Sequence, residues 1–577
     1  MGPIAPKDPV KKRDFFYIML EKQISAAPAE NGRGVCFIYE DNGRLANAAR
    51  ITGNVSDEEQ LGMLATYEGF RKLVYGIGVS VINDCGEPAD FVFQMYGRRD
   101  TYGSGTVVRQ HVSCDGVEYL IPMSEIDWTG DDDRPGQIRF EFARPGFLST
   151  VNVCLYLNDG YTAPPFEGLA PVDTASAAYQ SMIDRSVISM GNGARLKRAI
   201  DKARRGEMVT ISAIGGSITQ GAGATPINTE CYARKFFEKF TAAYSPNGYT
   251  QYIKAGVGGT PSELGILRYE RDVLQNGRIE PDIVIIEFAV NDAGDETGGD
   301  CFEGLVRKAL NGPGHPAVIL LFSVFADDTN LEERLVPIGR HYDLPMVSIK
   351  AAVTAQFYLT PETGRVIGKN RFYYDVYHPA NLGHTIMADS LMRLMQLTAD
   401  KASDADARGE SDGTAMLPDE LPDYENLAPL RTAEFECIRL IDRCDNPCRA
   451  VIEPGGFNAV DTEIQRVEMN MDAGTTPQFP NNWMYKGTGG EAFSCTLKAR
   501  LLMIITKDSA GPADGRADIY VDGRLIKTVD PHEIGWIHCN AQIILREQEA
   551  AQHRIEVRMH PGDEDRHFTI LGLGYAD

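Results

Sequence analysis

The run Ile283-Val284-Ile285-Ile286 is apolar on both sides of the pleat, and nothing else in the chain constrains its fold as much. A strand with one wet face alternates. A strand that is apolar throughout must be covered on both faces, as in a parallel sheet between two layers of helix. Strand-like runs fall at 208–214, 249–255, 282–288, 317–324 and 345–348. Helical patterns near 230–244, 262–275, 300–311, 331–342 and 380–397 alternate with them. This predicts an α/β domain with a doubly wound parallel sheet over residues 186–400. Ligands on such sheets sit beyond the carboxyl ends of the strands, so chemistry is expected in the loops that follow them.

The flanks are patterned differently. At 577 residues the chain is too long for one core, and three domains are the natural division. Short β-type runs such as Val35–Tyr39, Phe91–Tyr96, Ile138–Phe142 and Val151–Tyr156, with turns at Asp115-Gly116 and Asn158-Asp159-Gly160, predict a β-sandwich. We take 1–185 as this N-terminal, jelly-roll-like sandwich and its connector. The stretch 401–429, rich in Asp, Glu, Ser, Gly and Pro, reads as a linker. From 430 to 577 β patterning returns, with Leu501–Ile505, Arg554–Met559 and a hairpin signal at Val521-Asp522-Gly523-Arg524, and predicts a second β-sandwich.

Four segments of the middle region fit one mechanism. Gly215-Gly216-Ser217-Ile218-Thr219 puts a serine on a glycine-backed turn directly after a strand. A free serine hydroxyl is protonated near neutral pH and needs a base. Asp375-Val376-Tyr377-His378-Pro379 supplies a histidine with its own orienting carboxylate. The oxyanion that develops on attack needs donors fixed in advance. The Ser217 amide, the turn Gly256-Val257-Gly258-Gly259-Thr260 and the side chain of Asn291, in Ala289-Val290-Asn291-Asp292, are the candidates. Each alone is an ordinary turn or surface feature; in this order, on strand-end loops, they are jointly specific.

Gly-Gly-Ser-Ile-Thr, the Gly-Gly-Thr turn, Val-Asn-Asp and Asp-x-x-His-Pro resemble the four blocks of the SGNH (GDSL-type) hydrolases. The resemblance covers roughly 200 residues of the middle region, and its last block runs on through Ala380-Asn381-Leu382-Gly383-His384. It implies a flavodoxin-like hydrolase domain with Ser217 as nucleophile, His378 and Asp375 completing a triad, and Ser217, Gly259 and Asn291 forming the oxyanion hole. Gly258 takes the place of Gly259 if the turn aligns one residue earlier. The first block has Gly216 where the family name has Asp, a form similar to bacterial carbohydrate esterases. A β-sandwich ahead of the catalytic domain resembles the two-domain acetylesterases of plant-polysaccharide degradation; the C-terminal sandwich goes beyond that plan.

Other features bound the function. A net charge of −24, from 57 basic and 81 acidic residues, argues against nucleic acid or an anionic membrane as partner. No apolar stretch is long enough for a signal peptide or a membrane span. Eleven cysteines without paired spacing read as reduced thiols, which points to the cytoplasm, although a leader removed beforehand fits as well. Cys444-Asp445-Asn446-Pro447-Cys448 reads as a turn rather than a zinc site, and neither metal nor organic cofactor is expected. His384, His538, His560 and His567 read as packing or surface residues. Trp483, in an aromatic and turn-rich segment, is a candidate platform for a sugar ring, the alternative being the core of the C-terminal sandwich.

The expected activity is removal of short acyl groups, above all acetyl, from carbohydrate such as acetylated xylo- or manno-oligosaccharides. A lipase-like or thioesterase-like hydrolase for longer chains is the alternative, and requires an apolar trench beside Ser217. A carbohydrate-binding protein with a dead hydrolase domain is a third reading, against which the intact Ser217, Asn291, Asp375 and His378 argue. Association into a homo-oligomer stays open.

Overall fold

The computed structural model describes residues 13–408 and 423–577, apart from residues 30, 41–43, 84, 85, 167, 170 and 488. Its centre is a six-stranded sheet in the order Val187–Ser189, Met346–Ser348, Ala317–Phe322, Ile283–Glu287, Val209–Gly215, Thr250–Gly256. All neighbours are parallel except the edge strand Val187–Ser189. The five strands read from the sequence thus exist, with ends displaced by no more than two residues. Alternate residues feed two helical layers. Ile283 and Ile285 join a core with Phe236, Phe240 and Leu391, while Val284 and Ile286 join one with Leu264, Leu305 and Leu335.

Register levels the reactive loops. Gly215 lies opposite Gly256 on one side and Glu287 on the other. The chain leaves Val209–Gly215 for one neighbour and then returns to the other, which makes this the topological switch point of the sheet.

The N-terminal part has two antiparallel sheets, of four and five strands, closing on a core that includes Phe70, Phe91, Phe93 and Phe140. It also contains three helices that periodicity did not reveal: Arg44–Thr52, Glu58–Met63 and Tyr67–Leu73. At six to nine residues they are too short for a clear apolar stripe. Side-chain caps from Asp57 and Thr66 start the second and third.

The C-terminal part is an eight-stranded antiparallel sheet built on two long strands, Phe493–Asp508 and His538–Met559. The hairpin at Val521–Arg524 forms, with Asp522 and Gly523 at φ 52° and 78° as a type I′ turn requires. One face of the sheet has its own core, which includes Leu502, Ile504 and Leu573. The other face, through Leu501, Met503, Ile505 and Leu571, joins the core of Leu264, Leu267 and Phe288 in the α/β domain. A Cβ on Gly574 would come within 2.3 Å of Leu267, so the backbone itself abuts the helix Ser262–Asp272.

Two expectations change. The helix Asn381–Arg408 continues past 400 into the stretch read as linker, where Ala402, Ala405 and Ala407 favour helix. Residues 409–422 of that stretch lie outside the described residues. Trp483 is 2% exposed and packs 5.3 Å from the ring of Phe493, so it is core and offers no face to a sugar.

Candidate active site

Ser217 opens a four-residue helix, Ser217–Gln220, immediately beyond Val209–Gly215. The turn is tight because glycines allow it. A Cβ on Gly215 would come within 2.2 Å of Thr219 Oγ1, and one on Gly256 within 1.9 Å of the Gln220 nitrogen. On Gly216 it would come within 2.2 Å of Asn291 Oδ1. A side chain at 216 would displace the Asn291 amide.

His378 Nε2 lies 3.0 Å from Ser217 Oγ, and His378 Nδ1 lies 2.9 Å from Asp375 Oδ2. Asp375 Oδ1 also accepts the amides of Tyr377 and His378, each at 2.8 Å. Burial works to raise the Asp375 pKa. The charge and hydrogen bond of His378, the Tyr377 amide and the Lys22 ammonium overcome it and hold the carboxyl below the ordinary range. Asp375 therefore stays ionised wherever the protein is folded near neutral pH.

The second and third loops meet the serine from either side. Gly258 N–H donates to Gln220 Oε1 at 3.0 Å, whereas no hydrogen bond from the Gly259 amide is found among the described residues. Gly259 is exposed and has φ 75°, a conformation glycine adopts freely. Asn291 has its Oδ1 buried without a hydrogen bond, which leaves Nδ2 as the open end. Beneath them the buried Arg268 donates to the carbonyls of Ala255 and Gly215 at 2.6 and 2.8 Å, tying two strand ends together. Asp292 accepts from the amide and hydroxyl of Ser262, both at 2.8 Å, and so fixes the segment after Asn291.

His384 is fully buried. Its Nδ1 accepts the Tyr232 amide and its Nε2 donates to Ala222 O; burial pushes its pKa down to about 3, and it stays neutral.

The C-terminal sheet supplies residues with no sequence motif. His538 is 5% exposed, the packing alternative of its sequence reading, and places Nε2 3.1 Å from Gly259 O and Nδ1 2.8 Å from Asp508 Oδ2. Gln465 Nε2 donates to Gly258 O at 2.8 Å. Trp536 is 43% exposed, and its indole lies 2.7 Å from where a Gly259 Cβ would be. A cavity of ≈430 Å³ beside Gly258 is bordered by Gln220, Gln465, Arg466 and Trp536. Tyr377, 44% exposed, stands beside His378. Among the described residues no side-chain cluster fits a metal ion, and no helix is long and apolar enough to cross a membrane.

Residues 213–386 match the GDSL-like Lipase/Acylhydrolase family. Over 68% of its length the chain is similar to the crystal structure of a two-domain esterase (CEX) active on acetylated mannans, at 28% identity and TM-score 0.55, covering 98% of that chain. The same esterase co-crystallised with mannopentaose matches at 28% identity and TM-score 0.54, covering 68% of this chain and 97% of that one. A catalytic mutant of an acetylxylan esterase from Geobacillus stearothermophilus matches at 19% identity and TM-score 0.26, over 32% of this chain and 94% of that one. No curated protein matches the chain in sequence. The resemblance to GDSL-type hydrolases is thus found in the family match over residues 213–386, that to a carbohydrate esterase in the fold, and together they support a carboxylic ester hydrolase.

Proposed function

We propose that the chain is a serine esterase that removes O-acetyl groups from carbohydrate. The observation that carries this reading is the line from Ser217 Oγ through His378 to Asp375, with contacts of 3.0 and 2.9 Å. His378 takes the serine proton as Oγ attacks the ester carbonyl, and Asp375 stabilises the imidazolium that results. The amides of Ser217 and Gly259 and the Asn291 Nδ2 group receive the oxyanion. Gly259 is favoured over Gly258 because the Gly258 amide is already engaged by Gln220. His378 then gives its proton to the departing sugar oxygen, which leaves as the free hydroxyl, and water attacks the acetyl-Ser217 ester with His378 as base, releasing acetate and restoring the serine.

Two observations favour sugar as the alcohol. The similar two-domain esterase is active on acetylated mannans. The indole of Trp536 is an open aromatic surface beside the oxyanion turn, suited to the apolar face of a pyranose. The lipase-like alternative needs an apolar trench and stays the second reading, because the cavity beside Gly258 is lined by Ile464, Val467, Trp536 and Ile537 as well as by Gln220, Gln465 and Arg466.

Acetate release from acetylated manno- and xylo-oligosaccharides, by wild type and Ser217→Ala side by side, tests the reading. Release that the substitution abolishes supports it. A folded protein that cleaves p-nitrophenyl octanoate but frees no acetate from either sugar overturns it.

A further inference from the structure

The strand Phe15–Ser25 of the N-terminal sheet shifts its register at two places, between Tyr17 and Met19 and again between Met19 and Lys22, and the second bears on the site. Against Leu148–Leu157, Met19 pairs with Val153 but Lys22 pairs with Val151, so one extra residue is bulged out between them. Glu21, within the bulge, has φ 45°, a left-handed conformation that is strained for a residue with a side chain. Its amide is held by Asn152 Oδ1 at 2.6 Å. Bulges of this kind re-aim the side chain that follows, and here that side chain is Lys22.

The re-aimed ammonium ends on the loop that carries the base. Lys22 Nζ donates to the carbonyl of Tyr374, the residue before Asp375, and lies 3.9 Å from the centre of the Tyr374 ring. The next residue grips the far end of the same loop: Gln23 Oε1 accepts from Asn381 Nδ2 at 2.9 Å. Two consecutive residues of another domain thus hold both ends of the segment that presents Asp375 and His378.

We propose that Lys22 is a positioning residue for the His378–Asp375 pair, its ammonium fixing the Tyr374 carbonyl and setting the charge against which the pair works. This rests on the esterase reading of the same site. The groups that face Lys22 are Asp375, the Tyr374 ring and the Cys36 thiol, and Glu21 and Arg371 line the same cleft. Burial pushes Cys36 up to about 11, so it carries no charge near neutral pH. On its other side the pair faces Glu287 and the neutral His384. The ammonium is therefore the cation that offsets the Asp375 carboxylate from behind. Without it nothing on that side offsets the pull of the carboxylate on the imidazolium.

The test uses the full chain and p-nitrophenyl acetate, with kcat and KM followed from pH 5 to 9 in wild type, Lys22→Met, Lys22→Gln, Lys22→Arg and Ser217→Ala. Lys22→Met is expected to lower kcat about tenfold with KM little changed, because the base is misplaced rather than the substrate. It is also expected to move the acidic limb of kcat/KM up by about half a pH unit. Its melting temperature should change little, since the half-buried ammonium sets a desolvation cost against its hydrogen bond to Tyr374. Lys22→Gln, still a donor but uncharged, should recover part of kcat and keep the shifted limb. Lys22→Arg should keep the wild-type limb. Wild-type kcat and pH profile in Lys22→Met, with Ser217→Ala inactive, overturn the proposal alone. Equal losses in the Met, Gln and Arg variants that track lowered melting temperatures, with no movement of the limb, overturn it too. Activity retained by Ser217→Ala overturns the esterase reading and this proposal with it.

Discussion

The C-terminal sheet shares its core with the α/β domain, through Leu501, Met503, Ile505 and Leu571 against Leu264, Leu267 and Phe288. The N-terminal sandwich keeps its own core, and Ile51 is its member of the α/β cluster. The two also hold different halves of the reactive rim. From the C-terminal side, Gln465 and His538 fix the carbonyls of Gly258 and Gly259 with hydrogen bonds, and Trp536 stands open to substrate. From the N-terminal side, Lys22 and Gln23 hold the loop of Asp375 and His378, the first through its ammonium and the second through a side-chain hydrogen bond. On the proposed mechanism, one flank is fused and shapes where the oxyanion sits, and the other is docked and acts on the charge of the base.

The largest expected effect comes from cutting each flank away. A chain ending at residue 408 leaves Leu264, Leu267 and Phe288 uncovered and should yield no soluble folded protein. A chain beginning at residue 172 should fold and unfold in one cooperative transition, with reduced kcat. The same contrast holds for a single residue: Leu571→Ala, at 0% exposure, should destabilise by about 2–5 kcal/mol and lower the melting of both domains together. Separate transitions for the α/β and C-terminal parts would break the comparison.

Next in size are the braces of the oxyanion turn. His538→Ala and Gln465→Ala should each lower kcat on p-nitrophenyl acetate about tenfold or more, less than the loss of a direct oxyanion donor, which is about a hundredfold or greater. KM should change little, and the acidic limb should stay in place, because neither residue touches the His378–Asp375 pair. A limb displaced by His538→Ala would mean that the two flanks do not act on separate halves. Trp536→Ala should be smaller and selective: KM for acetylated manno-oligosaccharides rises about fivefold, and p-nitrophenyl acetate is untouched. Equal loss on both substrates would assign the indole to holding Gly259 rather than to the sugar.

What the sequence disclosed follows the range over which its signals act. Ser217, Gly259, Asn291, Asp375 and His378 each lie in a local strand–turn or turn–helix pattern, and the period of the apolar residues placed those turns at one sheet edge. His538 meets Gly259 across 279 residues and Lys22 meets Tyr374 across 352, and no local pattern marks such pairs. Trp483 and Trp536 make the point with one residue type. Both sit in turn-rich segments. Trp483 enters a strand whose inner face meets Phe493 and is buried; Trp536 follows Gly535 onto the rim and is open. Which of two tryptophans faces solvent depends on the partner sheet, not on the neighbouring residues. The bulge at Glu21 was hidden for a related reason: an inserted residue leaves composition unchanged and alters only which side chain faces which way.

The smallest expected effect separates the flanks by pH. Burial pulls the Lys22 ammonium from its ordinary 10.5 down to about 8, while the Asp375 carboxylate pulls the other way. Between these two values the folded chain holds fewer protons at this position than the unfolded chain, so its contribution to stability rises with pH through that window; below about 8 the penalty of burying the charge is present in full. The melting temperature of wild type relative to Lys22→Met should therefore climb from pH 7 to 10, and the kcat/KM advantage of wild type should shrink toward that of Lys22→Gln as the ammonium is lost. Gln465→Ala, which removes no titrating group, should keep a constant ratio to wild type over the same range. A Lys22→Met difference as flat as that of Gln465→Ala would show that the N-terminal flank, like the C-terminal one, holds its loop by geometry and not by charge.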